Sequence, residues 1–185
     1  MLILASRSPR RKELLSLITE DFSVRPAEGE EIADPRLSPD RYVMALSKAK
    51  AREIASAAPN ETVIGADTVV VFGKKILGKP KDTADAVRML TLLSGNTHSV
   101  FTGVTVIVNG EIHSFAEETK VTFFPLSSEE IKRYAESGEP LDKAGAYGIQ
   151  GAGALLVQGI KGDYYNVMGL PVGRLYRFLK DFSIL

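Results

Sequence analysis

One carboxylate interrupts the most apolar stretch of the chain. Asp67 lies within Thr62–Phe72, where every other residue is apolar, β-branched or glycine, and this composition predicts a buried central strand. Burying an unpaired charge costs on the order of several kcal/mol, so Asp67 must be paired, protonated or bound to a metal. Gly65 permits close approach of a backbone or ligand, and Thr68 adds a hydroxyl. A carboxylate bonded to neighbouring amides and a functional carboxylate both fit this stretch.

Two arginines occupy the first turn of the first predicted helix. In Ser6-Arg-Ser-Pro-Arg-Arg11, Ser8 is a good N-cap and Pro9 a good first helical residue. Cations are disfavoured there, because a helix N-terminus already carries positive partial charge. A bound phosphate would reverse this, since backbone N–H groups, the hydroxyls of Ser6 and Ser8 and the guanidinium groups of both arginines would all point at it. Pairing of the arginines with nearby glutamates is the alternative, and the electrostatics favour an anion site.

Acidic residues follow in the predicted loop Pro26–Leu37, which contains Glu28, Glu30 and Glu31. A solvated acidic loop is the ordinary interpretation. A metal ligand is the other, because a hard divalent cation needs only one or two protein carboxylates when a substrate phosphate supplies further oxygens.

Two lysines are candidates for contact with phosphate. Lys50 lies on an otherwise apolar row of the helix that Ser38 begins, where snorkelling is the commoner explanation and reaching a phosphate is the other. Lys79, between Gly78 and Pro80, is held in a constrained turn and is a better candidate than the other lysines nearby.

A glycine-rich segment, Asp142–Gly153, would let backbone amides approach a ligand, and three side chains in it could bind the ligand's polar groups: Asp142, Lys143 and Gln150. Its spacing matches neither the dinucleotide-binding fingerprint nor a P-loop.

The elements that must position these residues alternate between strands and helices. Asp82 predicts a helix start, Asn109-Gly110 a type I′ hairpin turn, and Ser127-x-x-Glu130 a capping box. A strand through Leu155, Leu156 and Val157, a turn near Gly162-Asp163 and an apolar last helix complete a single predicted domain, 1–185.

Composition excludes several classes of function. The 185 residues include 23 Lys and Arg and 23 Asp and Glu, so there is no global field to attract nucleic acid. Cysteine is absent, which excludes disulfides and thiolate chemistry and fits a cytoplasmic protein. No apolar run is as long as a membrane span. His98 and His113 fall in predicted strands, as ordinary sheet residues.

These features together predict a site that cleaves a phosphoanhydride. They are the candidate anion site at Ser6–Arg11, called the anion cradle below, the strand carboxylate Asp67, the acidic loop, the lysines Lys50 and Lys79, and the glycine-rich segment.

The chain also resembles the Maf family. The resemblance rests on six collinear segments that span nearly the whole chain: Ser6–Arg11, Gly65-Ala-Asp-Thr68, Gly78-Lys-Pro80, Leu93-Ser-Gly95, Asp142–Gly151 and Val167-Met-Gly-Leu-Pro171. It implies a house-cleaning nucleoside triphosphate pyrophosphatase, which releases a nucleoside monophosphate and pyrophosphate. It also implies an α/β fold similar to inosine triphosphatase, with an elongated mixed β-sheet flanked by helices, two lobes around a cleft, and a homodimer.

By the same resemblance Asp67 is the proton acceptor, and Arg10, Thr68 and Gln150 are linked to base choice. The Gly-Ala-Asp-Thr form is similar to the branch that acts on dTTP and UTP, with modified pyrimidine nucleotides as further candidate substrates. The branch that acts on 7-methyl-GTP resembles Gly-Ser-Asp-Gln at this place, so Thr68 decides the substrate assignment. A further set of matching positions lies near the Mg²⁺ or Mn²⁺ ion and the phosphates: Ser6, Glu31, Lys50 and Lys79. The choice of Glu31 over Glu30 as a metal ligand with Asp67 stays open.

The family's association with septum formation gives one alternative from another class, a nucleotide-binding regulator of cell division that acts through a partner. The neutral net charge argues against a stable complex with nucleic acid, and no membrane partner is expected.

Overall fold

The computed structural model describes residues 1–29 and 32–185 and contains a seven-stranded mixed sheet flanked by helices. The strand order is β2-β1-β3-β5-β6-β7, and β4 pairs with β3. β1 runs parallel to β2 and β3, whereas β4 is antiparallel to β3 and β7 is antiparallel to β6. The strands are β1 Leu2–Ala5, β2 Phe22–Val24, β3 Thr62–Phe72, β4 Lys75–Leu77, β5 Thr97–Val108, β6 Glu111–Phe123 and β7 Val157–Lys161. The predicted mixed α/β fold is confirmed.

Six α-helices connect or follow the strands in the described residues. They are α1 Pro9–Ser16, α2 Pro39–Ala57, α3 Thr83–Leu93, α4 Ser128–Glu136, α5 Tyr164–Met168 and α6 Val172–Asp181. Three short 3₁₀ helices lie between α4 and β7: Glu139–Asp142, Ala144–Ala146 and Gly151–Leu156. None of the helices in residues 1–29 and 32–185 is long and apolar enough to cross a membrane.

Local sequence signals determine several of these boundaries. The Ser8 side chain accepts from the third residue of α1, and Asp82 caps α3 in the same way. Ser127 and Glu130 form both hydrogen bonds of the predicted capping box. Asn109 and Gly110 have φ values of 51° and 80°, as a type I′ turn requires. These four predictions are confirmed.

The predicted strand through Leu155 and Leu156 is wrong. A 3₁₀ helix covers Gly151–Leu156, and β7 begins only at Val157. Gly151 adopts a φ of 62°, which starts a tight turn, and Leu155 is 80% exposed rather than packed in the sheet. The glycine content of the segment therefore prevails over the strand preference of its apolar residues.

The chain divides into two compact units. The first comprises Met1–Asp67, Thr102–Glu117 and Tyr165–Leu185, and the second comprises Thr68–Phe101 and Glu118–Tyr164. In the first unit α2 packs on the sheet through a small apolar cluster: Ile3, Ala5, Ala51, Ala58, Val63 and Ile107.

Candidate active site

Asp67 is paired with a lysine. Its residue surface is only 7% exposed, and its Oδ1 accepts a hydrogen bond of 2.6 Å from the Lys50 ammonium, whose side chain is 15% exposed. The pair answers the question that the sequence left open, because each buried charge compensates the other. The expectation that Lys50 snorkels towards water is wrong, since its ammonium turns to the strand carboxylate.

Close packing of α2 on β3 brings the two side chains together. A Cβ atom on Gly65 would overlap the Ser47 carbonyl oxygen and lie 2.9 Å from the Ala51 amide nitrogen. Glycine at this position therefore lets the helix backbone approach the strand two residues before Asp67. Lys50 precedes Ala51 directly, so its ammonium reaches the carboxylate from the same turn of α2.

The anion cradle predicted at Ser6–Arg11 begins beside the same part of β3. Ala5 is opposite Gly65 in the parallel register of β1 and β3, so the chain leaves β1 next to the segment that carries Asp67. Arg10 is half-buried in the first turn of α1, and that turn contains no acidic residue. Positive partial charge at the helix N-terminus and the Arg10 guanidinium thus favour an anion at this position.

Ser6 and Arg11 brace the cradle. The buried Ser6 hydroxyl accepts from the Ser8 N–H at 3.2 Å and from an Arg11 guanidinium nitrogen at 3.3 Å. Arg11 Nε also donates to the Gly169 carbonyl oxygen at 2.8 Å. The sequence treated Arg11 only as a second cation, and its long-range bond to Gly169 carries no local signal.

Hydrogen bonds attach the acidic loop to α2 at Glu28 and Gly29. Glu53 accepts from the Glu28 N–H at 2.7 Å and from the Gly29 N–H at 3.0 Å, and these two bonds lower the pKa of Glu53. The candidate metal ligand Glu31 and its alternative Glu30 lie outside the described residues. Within residues 1–29 and 32–185, no group of three or more His, Asp or Glu side chains is placed to hold a metal ion.

The described donors fit a hard divalent cation only as a partial set. Asp67 offers carboxylate oxygens, which Mg²⁺ and Mn²⁺ prefer, and such ions retain several waters or phosphate oxygens as further ligands. One protein carboxylate is therefore compatible with an ion carried by a triphosphate.

The second unit contains the other predicted site residues. Thr68 is half-buried in β3, Lys79 is exposed in the turn between β4 and α3, and Gln150 is exposed in the glycine-rich segment. The Gly145 N–H donates to the Gly78 carbonyl oxygen at 3.0 Å. This bond attaches the start of the glycine-rich segment to the turn that carries Lys79.

A buried aromatic cluster anchors the glycine-rich segment. The Tyr147 hydroxyl and His98 Nε2 are 2.7 Å apart, and both rings pack edge-on against Phe123. Burial lowers the pKa of His98 to about 4 and raises the pKa of Tyr147. His98 lies in β5, as the sequence predicted, and it is a neutral core residue at pH 7 rather than an acid or base for the chemistry.

Curated relatives match almost the full chain. It is 51% identical to the dTTP/UTP pyrophosphatase of Bacillus cereus (strain AH187), over 99% of this chain and 96% of that protein. It is 53% identical to the protein of the same name from Bacillus cytotoxicus, over 98% and 95%, and 52% identical to the one from Bacillus pumilus (strain SAFR-032), over 99% and 97%.

Among solved structures, the Staphylococcus aureus Ham1 protein is similar over 66% of this chain and 71% of that chain, with 16% identity and a TM-score of 0.44. This similarity is too weak to support a shared fold, so the similarity to inosine triphosphatase stays a prediction. The family model described as Maf-like protein matches residues 1–182. A match over that length, together with relatives at half identity, shows that the chain belongs to the Maf-like protein family.

Proposed function

We propose that this protein is a nucleoside triphosphate pyrophosphatase that hydrolyses dTTP and UTP to the nucleoside monophosphate and pyrophosphate. The names of its relatives support the reaction and the substrates. Removal of unwanted or modified pyrimidine nucleotides from the nucleotide pool would be its house-cleaning role.

The observation that carries the proposal is the buried Asp67–Lys50 pair in the unit that also contains the Ser6–Arg11 cradle. A carboxylate and a cation whose side chains are only 10% and 15% exposed are expensive to maintain. Their presence beside an anion-binding helix start is accounted for by chemistry on a phosphate.

In the proposed mechanism Asp67 is the proton acceptor. Its Oδ1 stays bonded to Lys50, and Oδ2 takes the proton of the attacking water. The water oxygen forms a new bond to the α-phosphorus as the bond from that phosphorus to the bridging oxygen breaks, and pyrophosphate leaves with the bridging oxygen.

Cations of the site offset the charge that develops on the phosphates. Arg10 and the N-terminus of α1 would bind phosphate oxygens with the Ser6 hydroxyl, and Lys50 and Lys79 would supply further positive charge. Thr68, Arg10 and Gln150 would contact the base or limit the space for it, and so determine which nucleotide is preferred.

A divalent metal ion belongs to the same proposal. Asp67 and Glu31 would hold Mg²⁺ or Mn²⁺ together with the triphosphate. When bound, the ion would polarise the phosphate and lower the pKa of a nearby water.

Three broader features are proposed with the activity. The chain would act as one domain over residues 1–185, in the cytoplasm and as a homodimer. Its zero formal net charge and lack of cysteine support a protein without nucleic-acid partners in a reducing compartment.

A panel of nucleoside triphosphates tests the proposal. We expect metal-dependent release of pyrophosphate, fastest with dTTP and UTP, and no turnover with EDTA. Release of orthophosphate alone would contradict the reaction. Tight binding of a nucleoside triphosphate without its hydrolysis would instead support a nucleotide-binding regulator.

Replacement of Thr68 tests the substrate assignment. We expect Thr68→Gln to lower the preference for dTTP over 7-methyl-GTP by about tenfold, because a longer amide would occupy the space of the hydroxyl and offer different hydrogen bonds. Thr91→Gln, on the exposed side of α3, is the matched control. An unchanged preference in Thr68→Gln would remove the reason for assigning base choice to Thr68.

A further inference from the structure

Both oxygens of the Glu139 carboxylate accept hydrogen bonds at the glycine-rich segment. Oε1 accepts from the Gly153 N–H at 3.3 Å and from the Tyr134 hydroxyl at 3.0 Å, and Oε2 accepts from the Ala152 N–H at 3.2 Å. Hydrogen bonds to a carboxylate are stronger than those between neutral groups. Glu139 therefore holds the backbone of the far end of the segment.

Tyr134 extends the hold to the near end. Its hydroxyl accepts from the Gly148 N–H at 3.1 Å while it donates to Glu139. Burial raises the pKa of Tyr134, so the hydroxyl keeps the proton that it donates. One carboxylate and one phenol thus tie the backbone on both sides of Gln150.

The backbone is too close to these groups for ordinary side chains. A Cβ atom on Gly151 would lie 3.1 Å from Glu139 Oε2, and Gly151 has a φ of 62°. A Cβ atom on Gly153 would lie 2.7 Å from the Tyr134 hydroxyl and would overlap the Gly148 carbonyl oxygen. The carboxylate fills the inside of the segment, and the glycines allow it.

Gln150 is exposed to solvent between the backbone groups that Glu139 and Tyr134 hold. Ile149 is only 8% exposed, whereas Gln150, the next residue, is exposed with an extended backbone conformation, φ −98° and ψ 172°. Its backbone is therefore fixed by its neighbours, and its amide is available to a ligand.

The Lys143 ammonium does not bind the Glu139 carboxylate in this arrangement. The Lys143 ammonium donates to the main-chain carbonyl oxygen of Glu139 at 2.6 Å and to Asp142 Oδ1 at 2.7 Å. The Glu139 side chain is thus used on main-chain N–H groups and the Tyr134 hydroxyl. This pattern organises a backbone, whereas a salt bridge would mainly balance charge.

We propose that Glu139 is a positioning residue for base choice, which acts by holding the segment 148–153 so that the Gln150 amide meets the nucleotide base. The proposal rests on the function proposed above, in which Gln150 contacts the base. Glu139 itself contacts main chain and Tyr134, so it acts through Gln150.

The first variant is Glu139→Gln. The amide nitrogen cannot accept a hydrogen bond, so the bond from either the Ala152 N–H or the Gly153 N–H is lost, and the hold on that end of the segment is weakened while the side-chain volume is kept. We expect the ratio of kcat/KM for dTTP to that for dCTP to fall by about tenfold, mainly through a higher KM for dTTP. The kcat for dTTP should change by less than about threefold.

Two further variants serve as a matched control and as an independent test. Glu136→Gln removes an exposed carboxylate from the end of α4, one turn before Glu139, and should leave the ratio unchanged. Tyr134→Phe removes the hydroxyl that joins Glu139 to Gly148 and should lower the ratio in the same direction. It provides the test if Glu139→Gln fails to fold, as judged by circular dichroism and a thermal melt.

A double-mutant cycle with Gln150→Ala separates positioning from a general structural effect. In the Gln150→Ala background, Glu139→Gln should produce no additional change in the base ratio. The same tenfold fall in both backgrounds would overturn the proposal, and so would an unchanged ratio in folded Glu139→Gln and Tyr134→Phe.

The wild-type enzyme distinguishes the two levels of proposal. If it releases no pyrophosphate from any nucleotide, the proposed function fails. If it turns over dTTP but the ratio does not respond to Glu139, only the positioning role fails.

Discussion

The two units hold their candidate site residues in different ways. In the first unit the groups lie on or beside regular elements, with Asp67 on β3, Lys50 on α2 and Arg10 in the first turn of α1. In the second unit Gln150 lies on irregular backbone whose shape depends on Glu139, Tyr134 and closely packed glycines.

This difference assigns different work to each unit. Regular elements fix a proton acceptor to within a fraction of an ångström, which suits a group that takes part in bond making. Irregular backbone can be varied without changing the sheet, which suits recognition of different bases. We therefore expect changes to Asp67 and Lys50 in the first unit to affect kcat for all nucleotides, and changes in the glycine-rich segment to affect the preference among them.

The largest effect is expected from Asp67→Asn. The amide cannot take the proton from water, so kcat should fall by a factor on the order of 10² to 10⁴ for dTTP and UTP alike. Pyrophosphate release measures the loss, with Asp181→Asn at the exposed end of α6 as the control. A folded Asp67→Asn enzyme with full activity would show that another group is the proton acceptor.

A smaller and more selective effect is expected from Gly153→Ala. The new methyl group would overlap the Gly148 carbonyl oxygen, and forcing atoms into a packed region costs about 1 to 3 kcal/mol. We expect KM for dTTP to rise by about tenfold with a smaller change in kcat. Gly159→Ala in β7 is the matched control, because a Cβ atom there meets no atom within 4 Å. An equal loss from both variants would mean that the segment has no special role.

The smallest effect at neutral pH concerns His98. Burial lowers its pKa in the folded state to about 4, whereas the unfolded value is about 6.5. The unfolded chain therefore binds the extra proton as the pH falls below 6.5, and the stability present above that pH is lost progressively towards pH 4. Between pH 7 and pH 5.5 the loss of unfolding free energy from this group should be about 1.2 kcal/mol.

Urea unfolding of the wild type and of His98→Phe at pH 7 and pH 5.5 measures this contribution of His98 to stability. The variant should be less stable at pH 7, because it loses the bond to Tyr147, but less sensitive to acid. The same pH dependence in both proteins would show that His98 does not control it.

Much of the first unit could be predicted from the sequence, because its signals are local. Ser8 and Pro9 mark the start of α1, and the apolar run around Asp67 marks β3. The partner of Asp67 could not be predicted. Lys50 is seventeen positions away on another element, and its place on an apolar helix row pointed to snorkelling.

The second unit was less predictable because its backbone depends on side chains outside the segment. The apolar pair Leu155 and Leu156 suggested a strand, yet the chain forms a 3₁₀ helix after Gly151. An acidic residue just before a glycine-rich segment was the available signal for Glu139. Its hydrogen bonds to Ala152 and Gly153 span more than a dozen residues, beyond the reach of helix or strand periodicity.

The most direct measurement is ³¹P NMR of the wild-type protein with dTTP and Mg²⁺, following the phosphorus products over time. The account predicts one pyrophosphate resonance that grows in step with that of dTMP, with no dTDP and no orthophosphate. Appearance of dTDP with orthophosphate would contradict it, because cleavage would then occur between the β- and γ-phosphates.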